Sequence, residues 1–278
     1  MHDSFLCGRF EFDLKRPLVM GIVNVTPDSF SDGGLFFDAD AAIAHARELI
    51  AQGADILDLG GESTRPGALA VSAEDETARL LPVVEALRTD GIALSVDTSK
   101  AVVMRAVLDA GADMINDVYA FRQPEAVAAV AHRSCGVCAM HMQGEPRTMQ
   151  EAPAYDDVMD DVVDFLNERA QCLQAAGVSR RRVMLDPGFG FGKTVAQNYQ
   201  LLRQLSTLIH RTGFPILTGL SRKSMIGAIV NRPAPERLAG SLSAMLACVM
   251  HGSSIVRVHD VAATVDAVRV WQTIEQGM

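Results

Sequence analysis

A chain of 278 residues, 49% hydrophobic and 21% charged, has ample material for a core and an ordinary globular balance. A net charge of −9 without a Lys/Arg-dense patch excludes nucleic acid and anionic membrane surfaces as partners, and no apolar run reaches the roughly 18 residues of a membrane span. Met1 to Cys7 lacks the basic-then-apolar pattern of an export signal, and five scattered cysteines point to reduced thiols in a cytoplasmic protein.

Phe10 and Phe12 alternate with polar neighbours, which predicts a short N-terminal β arm closing one end of the core. From Leu18 the chain falls into eight strand-then-helix units. The predicted strands are Leu18–Val25, Ile56–Gly61, Ile92–Thr98, Met114–Val118, Gly136–Met142, Val183–Pro187, Pro215–Ser221 and Ser254–Val261. They are short and rich in Val, Ile, Leu and Met, as parallel strands buried on both faces should be. Helical patterns run over Ala41–Ala51, Glu74–Asp90, Lys100–Ala110, Asp156–Ala176, Ala196–Arg211, Ser241–Met250 and Ala262–Glu275, with Ser72 to Asp75 as an approximate capping box. Pro124 and Pro235 stand where helices should begin. Gly53, Gly111, Gly177 and Gly252 follow apolar helices in the position of a left-handed C-terminal residue. Eight units averaging about 35 residues predict one domain, residues 1–278, folded as a TIM-type (β/α)8 barrel.

In such a barrel every strand C-terminus faces one mouth, so the residues ending the strands form one candidate site. They are Asn24, the Gly60 to Arg65 loop, Asp97, Asn116, Met140 with His141, Asp186, Ser221 with Lys223, and Arg257 with His259. Arg257 and His259 share one face of the last strand, and Val256 and Val258 take the other. Asp97, Asp186 and Asn116 suit a ligand offering several N–H donors, such as an amino-heterocycle. Arg65, Lys223, Arg257 and His259 form a cationic set suited to phosphate or diphosphate. The stretch from Asn24 to Gly34, with Pro27 and Gly33-Gly34, reads as a loop that closes over a ligand.

Other features resist a functional reading. Gly188 to Thr194 is one residue short of a P-loop and reads as a flexible, aromatic-bearing mouth loop. Cys135 and Cys138 lack a second pair and read as strand packing. Asp58 lies inside a strand as a structural ion-pair partner, and the Met-rich helix Ser241–Met250 reads as core or dimer face.

Eight ordered motifs carry a family resemblance: Asn24 to Gly34, Gly60 to Gly67, Ser95 to Lys100, Ile115 to Asp117, Met140 to Gly144, Leu185 to Lys193, Ser221 to Ser224 and Arg257 to Asp260. Over these the chain resembles dihydropteroate synthase, the folate-pathway transferase, from about Leu18 to Trp271. The resemblance implies condensation of 6-hydroxymethyl-7,8-dihydropterin diphosphate with 4-aminobenzoate, through a pterin-methylene cation. It implies Asp97, Asp186, Lys223 and Arg257 as catalytic residues. Asp97, Asn116, Asp186 and Lys223 would hold the pterin, with Met140 against its ring. Arg65, Arg257 and His259 would bind the diphosphate, with Thr64 a further ligand contact. Phe30, Pro66, Phe191 and Ser221 would shape the aminobenzoate site. Asn24 would be the fixed Mg²⁺ ligand beside a mobile lid from Thr26 to Gly34. A homodimer is the implied assembly. The competing readings are a pterin-site methyltransferase barrel and a catalytically silent paralogue. The Asn24–Gly34 and Ser63–Gly67 loops count against the first, and intact Asp97, Asp186, Lys223 and Arg257 against the second.

Overall fold

Side-chain alternation along eight parallel strands decides the architecture of the computed structural model, which describes residues 4–26, 39–63, 70–144, 149 and 153–276. The barrel strands are β3 (Leu18–Asn24), β4 (Ile56–Gly60), β5 (Ala93–Asp97), β6 (Met114–Asp117), β7 (Gly136–Met140), β8 (Val183–Asp186), β9 (Leu217–Thr218) and β10 (Ile255–Val258). From β3 to β8 each pairs in parallel with the next in chain order, β9 pairs with β10, and β10 returns to pair with β3. A single parallel bridge, Leu185 to Ile216, closes the ring between β8 and the residues just before β9.

One face of every strand meets the helices. Val19, Leu57, Leu94, Ile115, Val137, Leu185 and Val256 belong to this large outer core. The intervening residues point into the barrel, as period-two geometry requires. At the floor they are apolar: Leu18, Met20, Ile56, Ala93, Met114, Cys138, Met184, Leu217 and Ile255 form one buried cluster. Higher up the same faces turn polar, with Asp58, Ser95, Asn116 and Arg257, and then Asp97 and Asp186 at the mouth.

The hairpin of β1 (Ser4–Cys7) and β2 (Phe10–Asp13) plugs the floor, where fully buried Phe5 and Cys7 join the interior cluster. Arg9 fixes it by an ion pair to Asp113 at 2.8 Å, just ahead of β6.

The helices are α1 (Ala39–Ala51), α2 (Ala73–Leu87), α3 (Ala101–Ala110), α4 (Ala126–Ala131), α5 (Val158–Ala175), α6 (Val195–Arg203), α7 (Leu205–Thr212), α8 (Ser224–Val230), α9 (Leu238–Met250) and α10 (Val261–Gln276). Ser72 caps α2 by accepting from the Asp75 N–H at 3.0 Å. Gly53, Gly111, Gly177 and Gly252 all have φ between 94° and 113°, as helix-ending glycines should.

Three expectations need correction. The helix predicted over Ala196–Arg211 is two helices, broken at Gln204 (φ −104°, ψ 14°); the break lets Leu201, Leu202, Leu205 and Leu208 all reach the core. The helix expected at Pro124 starts only at Ala126, because Glu125 takes a left-handed φ of 61°. The strand predicted over Pro215–Ser221 shrinks to Leu217–Thr218, since the chain then turns, with the Lys223 N–H donating to Leu220 O and Arg222 at φ 61°.

Candidate active site

Four neighbouring strands end in one row. Asn24 pairs with Gly60, Gly60 with Asp97, and Asp97 with Asn116, so the register alone places these residues side by side at the mouth. Met140 and Asp186 are register partners on the far side of the ring.

Arg257 rises from β10 into the centre. Its Nε donates to Asp58 Oδ2 at 2.5 Å, and its Nη2 to Asp97 Oδ2 at 3.2 Å. Asp58 is fully buried and also accepts from Ser95 Oγ at 2.6 Å and Asn116 Nδ2 at 3.2 Å. It is the structural ion-pair partner expected, and its partner is one of the predicted site residues. Burial pulls the Arg257 guanidinium down, but Asp58 and Asp97 outweigh it and hold Arg257 above its ordinary value. Burial pushes the Asp97 carboxyl up to about 7, Arg257 opposing and Asp58, Asp117 and Glu76 adding to the rise.

Asp186 is buried at the end of β8, and its Oδ1 accepts the Gly188 N–H at 2.7 Å. Burial raises its pKa, offset by Lys223 first among its neighbours. Lys223 caps the β9 turn; its Nζ donates to Phe189 O and stands 4.5 Å from the centre of the Phe191 ring. Burial draws it down to about 8 against the pull of Asp186. Met140 packs with Val118, Met142, Met149 and partly buried Phe191, an apolar wall beside these polar groups. His259 Nδ1 lies 3.1 Å from Ser221 Oγ, so these two predicted residues meet directly.

Two predicted cations therefore sit among carboxylates. Arg257 bridges Asp58 and Asp97, and Lys223 lies within the field of Asp186, so neither is a bare anion receptor. Phe30, Thr64, Arg65 and Pro66, with the lid expected from Thr26 to Gly34 beyond Thr26 itself, lie outside the described residues.

The loop after β8 departs from expectation. It was predicted flexible, yet Phe189 is fully buried and Lys193 almost so. A Cβ on Gly188 would fall 1.9 Å from His141 O, so only glycine permits this approach of loop to strand. Sequence reasoning missed Lys193, which looked like one more polar residue of a Gly-rich loop. Cys135 and Cys138 are free and buried, in the outer core and the barrel interior respectively, in agreement with the packing role.

The family model for pterin-binding enzymes matches residues 20–259. Dihydropteroate synthase of Haemophilus influenzae is 49% identical over 261 residues, 94% of each chain, and that of Escherichia coli K12 is 50% identical over 259 residues, 93% of this chain and 92% of the relative. This chain belongs to the dihydropteroate synthase family. Among solved members, the Xanthomonas albilineans dihydropteroate synthase with 4-aminobenzoic acid is 51% identical, has a TM-score of 0.93 and covers 100% of both chains. The Burkholderia cenocepacia dihydropteroate synthase complexed with 7,8-dihydropteroate is 52% identical, with a TM-score of 0.90 over 98% of this chain and 96% of that one. The strand-end row is thus the mouth of a dihydropteroate synthase barrel.

At the second loop's base, Glu62 Oε1 accepts the Val71 N–H at 3.1 Å. Its Oε2 receives Lys100 Nζ at 2.5 Å, and the same ammonium reaches buried Glu76 Oε2 at 2.5 Å. Glu62 is thereby tied to Val71 and, through Lys100, to Glu76 of α2.

Proposed function

We propose that this chain condenses 6-hydroxymethyl-7,8-dihydropterin diphosphate with 4-aminobenzoate, releasing diphosphate and 7,8-dihydropteroate. The carrying observation is the buried Asp58–Arg257–Asp97 bridge beside Asp186, Asn116 and Lys223, in a family whose solved members bind 4-aminobenzoic acid and 7,8-dihydropteroate.

Asp186 accepts paired N–H groups of the pterin edge, Asn116 supplies a donor and an acceptor, and Lys223 donates to a ring heteroatom. Met140 and its apolar neighbours lie against the ring face. Asp97 stands where the pterin methylene gains positive charge as diphosphate departs, and its carboxylate favours that state over the ground state. Arg257 keeps Asp97 aligned and favours its ionised form. The arylamine then attacks the methylene; being a weak base it is already neutral at pH 7 and needs no strong general base.

Asn24 fits a magnesium site. Its amide oxygen is a hard donor at the mouth, and among the described residues a Cβ on its register partner Gly60 would meet no atom within 4 Å, which is compatible with a cation held largely by substrate phosphates. Mg²⁺, when bound, offsets the charge of the leaving diphosphate. Arg65, Thr64 and His259 complete the anion side, and Phe30, Pro66, Phe191 and Ser221 the aminobenzoate side. Excluding water from the mouth preserves the cation for the arylamine. Exposed Ile229, Leu238, Met250, Val270 and Ile274 on α8, α9 and α10 support a homodimer, which sedimentation tests.

Purified protein with both substrates and Mg²⁺ should release diphosphate and form dihydropteroate in equal amounts. Absence of dihydropteroate would refute the assignment.

A further inference from the structure

The turn from Gly188 to Gly192 is wound around one ammonium. Lys193 Nζ lies 2.9 Å from Gly188 O, 3.0 Å from Phe191 O and 2.9 Å from His141 Nδ1. These acceptors come from both ends of the turn and from the chain just past β7. Its bonds are to carbonyl and imidazole acceptors, and among the described residues Asp186 acts on it through its field rather than by direct contact. Burial draws it down to about 7, with Asp186 opposing and Lys223 adding to the fall, and a side chain without donors would fill the same space more cheaply. Its converging N–H donors therefore have another use.

That use is visible in what the turn presents. Phe189 is buried as its anchor, and its carbonyl receives Lys223 Nζ. Phe191 projects partly exposed beside Met140, with Lys223 Nζ 4.5 Å from its ring. Three further bonds hold the remaining backbone: Asp186 Oδ1 takes the Gly188 N–H, Asn198 Oδ1 the Gly190 N–H at 2.6 Å, and Tyr155 Oη donates to Gly192 O at 2.7 Å. The carbonyl of Phe191 itself has Lys193 as its donor. Without the ammonium, Phe191 O loses its side-chain donor and Gly188 O keeps, among the described residues, only the Phe191 N–H at 3.1 Å, so the turn is held by fewer bonds at the residue that carries the ring.

We propose that Lys193 is a positioning residue, its buried ammonium fixing the Gly188–Gly192 turn and so setting where Phe191 meets 4-aminobenzoate. This role presupposes the proposed reaction and deepens it. Lys193 touches neither substrate. It acts through Phe191, and the effect of its loss falls on the second substrate more than on the pterin, because Asp97 and Asn116 stand on strands the turn does not touch and Asp186 and Lys223 bond to Gly188 and Phe189, away from Phe191.

The test is steady-state kinetics of Lys193→Met, with each substrate varied at saturation of the other. Lys193→Met should raise KM for 4-aminobenzoate about tenfold while KM for the pterin diphosphate stays within about threefold. Lys193→Gln, which keeps two N–H donors, should show a smaller rise and carries the test if the methionine variant does not fold. An unchanged KM for 4-aminobenzoate, or equal rises in both constants, overturns the positioning role even if the melting temperature falls. A wild-type protein that forms no dihydropteroate defeats the functional reading, and this proposal with it.

Discussion

Asp97 shares Arg257 with Asp58, and these three side chains set the charge of the barrel mouth. Two carboxylates on one guanidinium leave net negative potential where a cationic methylene would form, which suits transition-state stabilisation better than anion capture. Asp97→Asn should keep pterin binding within about tenfold and lower kcat more than about a hundredfold, since the charge it stabilises exists only in the transition state. Binding by calorimetry and single-turnover rates separate the two effects, and equal losses would contradict the role. The pH profile follows from the same groups. Asp97 must be ionised and is raised to about 7, so kcat/KM should fall as pH drops through that value. Lys223 must be protonated and is drawn down to about 8, so kcat/KM should fall again as pH rises past it. The expected curve is a bell with a narrow top. A profile flat on the acid side down to pH about 5 would mean that Arg257 keeps Asp97 ionised throughout.

Single elements carry the second level of organisation, chiefly the segments between strand ends and helices. Lys100, at the N-cap of α3, joins Glu62 at the start of one mouth loop to Glu76 in α2. Glu76 is fully buried and its Oε1 has no hydrogen-bond partner among the described residues, and Lys100 is its counter-charge. Lys100→Met strands that carboxylate and should cost about 3–5 kcal/mol, read as a lower denaturation midpoint. A loss under about 1 kcal/mol would mean that the Lys100–Glu76 pair adds little to stability. Capping chemistry and glycine placement made most helix ends readable in advance. The break at Gln204 was not readable, because no proline or glycine marks it and only the outer core rewards the change of phase.

At the scale of the whole molecule the barrel has two ends with different work. The floor is apolar and sealed by the β1–β2 hairpin, with Phe5 against Met20, Met114 and their neighbours. A Cβ on Gly136 would meet Phe5 Cζ at 2.8 Å, so the ring lies directly on the start of β7. Phe5→Ala should therefore cost about 3–5 kcal/mol in chemical denaturation. Its KM values should stay unchanged, because the mouth lies at the other end of the strands. A shift in either KM would mean that floor packing sets the height of the mouth residues.

Much of this was legible in the residues. Short Val/Ile/Leu strands alternating with helical patterns gave eight units, and the shared direction of parallel strands gathered Asn24, Asp97, Asn116, Asp186 and Arg257 at one mouth before any coordinates. Period-two alternation put Arg257 and His259 on one face of the last strand and Val256 and Val258 on the other. These features depend on residues close in the chain, where local geometry acts. What the tertiary structure decided lies between residues far apart: Arg257 meets Asp58 across 199 positions and Asp97 across 160, and Lys193 meets His141 across 52. Sequence names such groups as charged and places them at a strand end or in a loop. Only closure of the ring brings particular oxygens within reach of a particular cation, and only burial, a property of everything packed around a group, sets what its charge is worth. For that reason the residues alone show Arg257 as one of a cationic set and Lys193 as a loop residue, and only the closed barrel shows the carboxylates on the first and the carbonyls around the second.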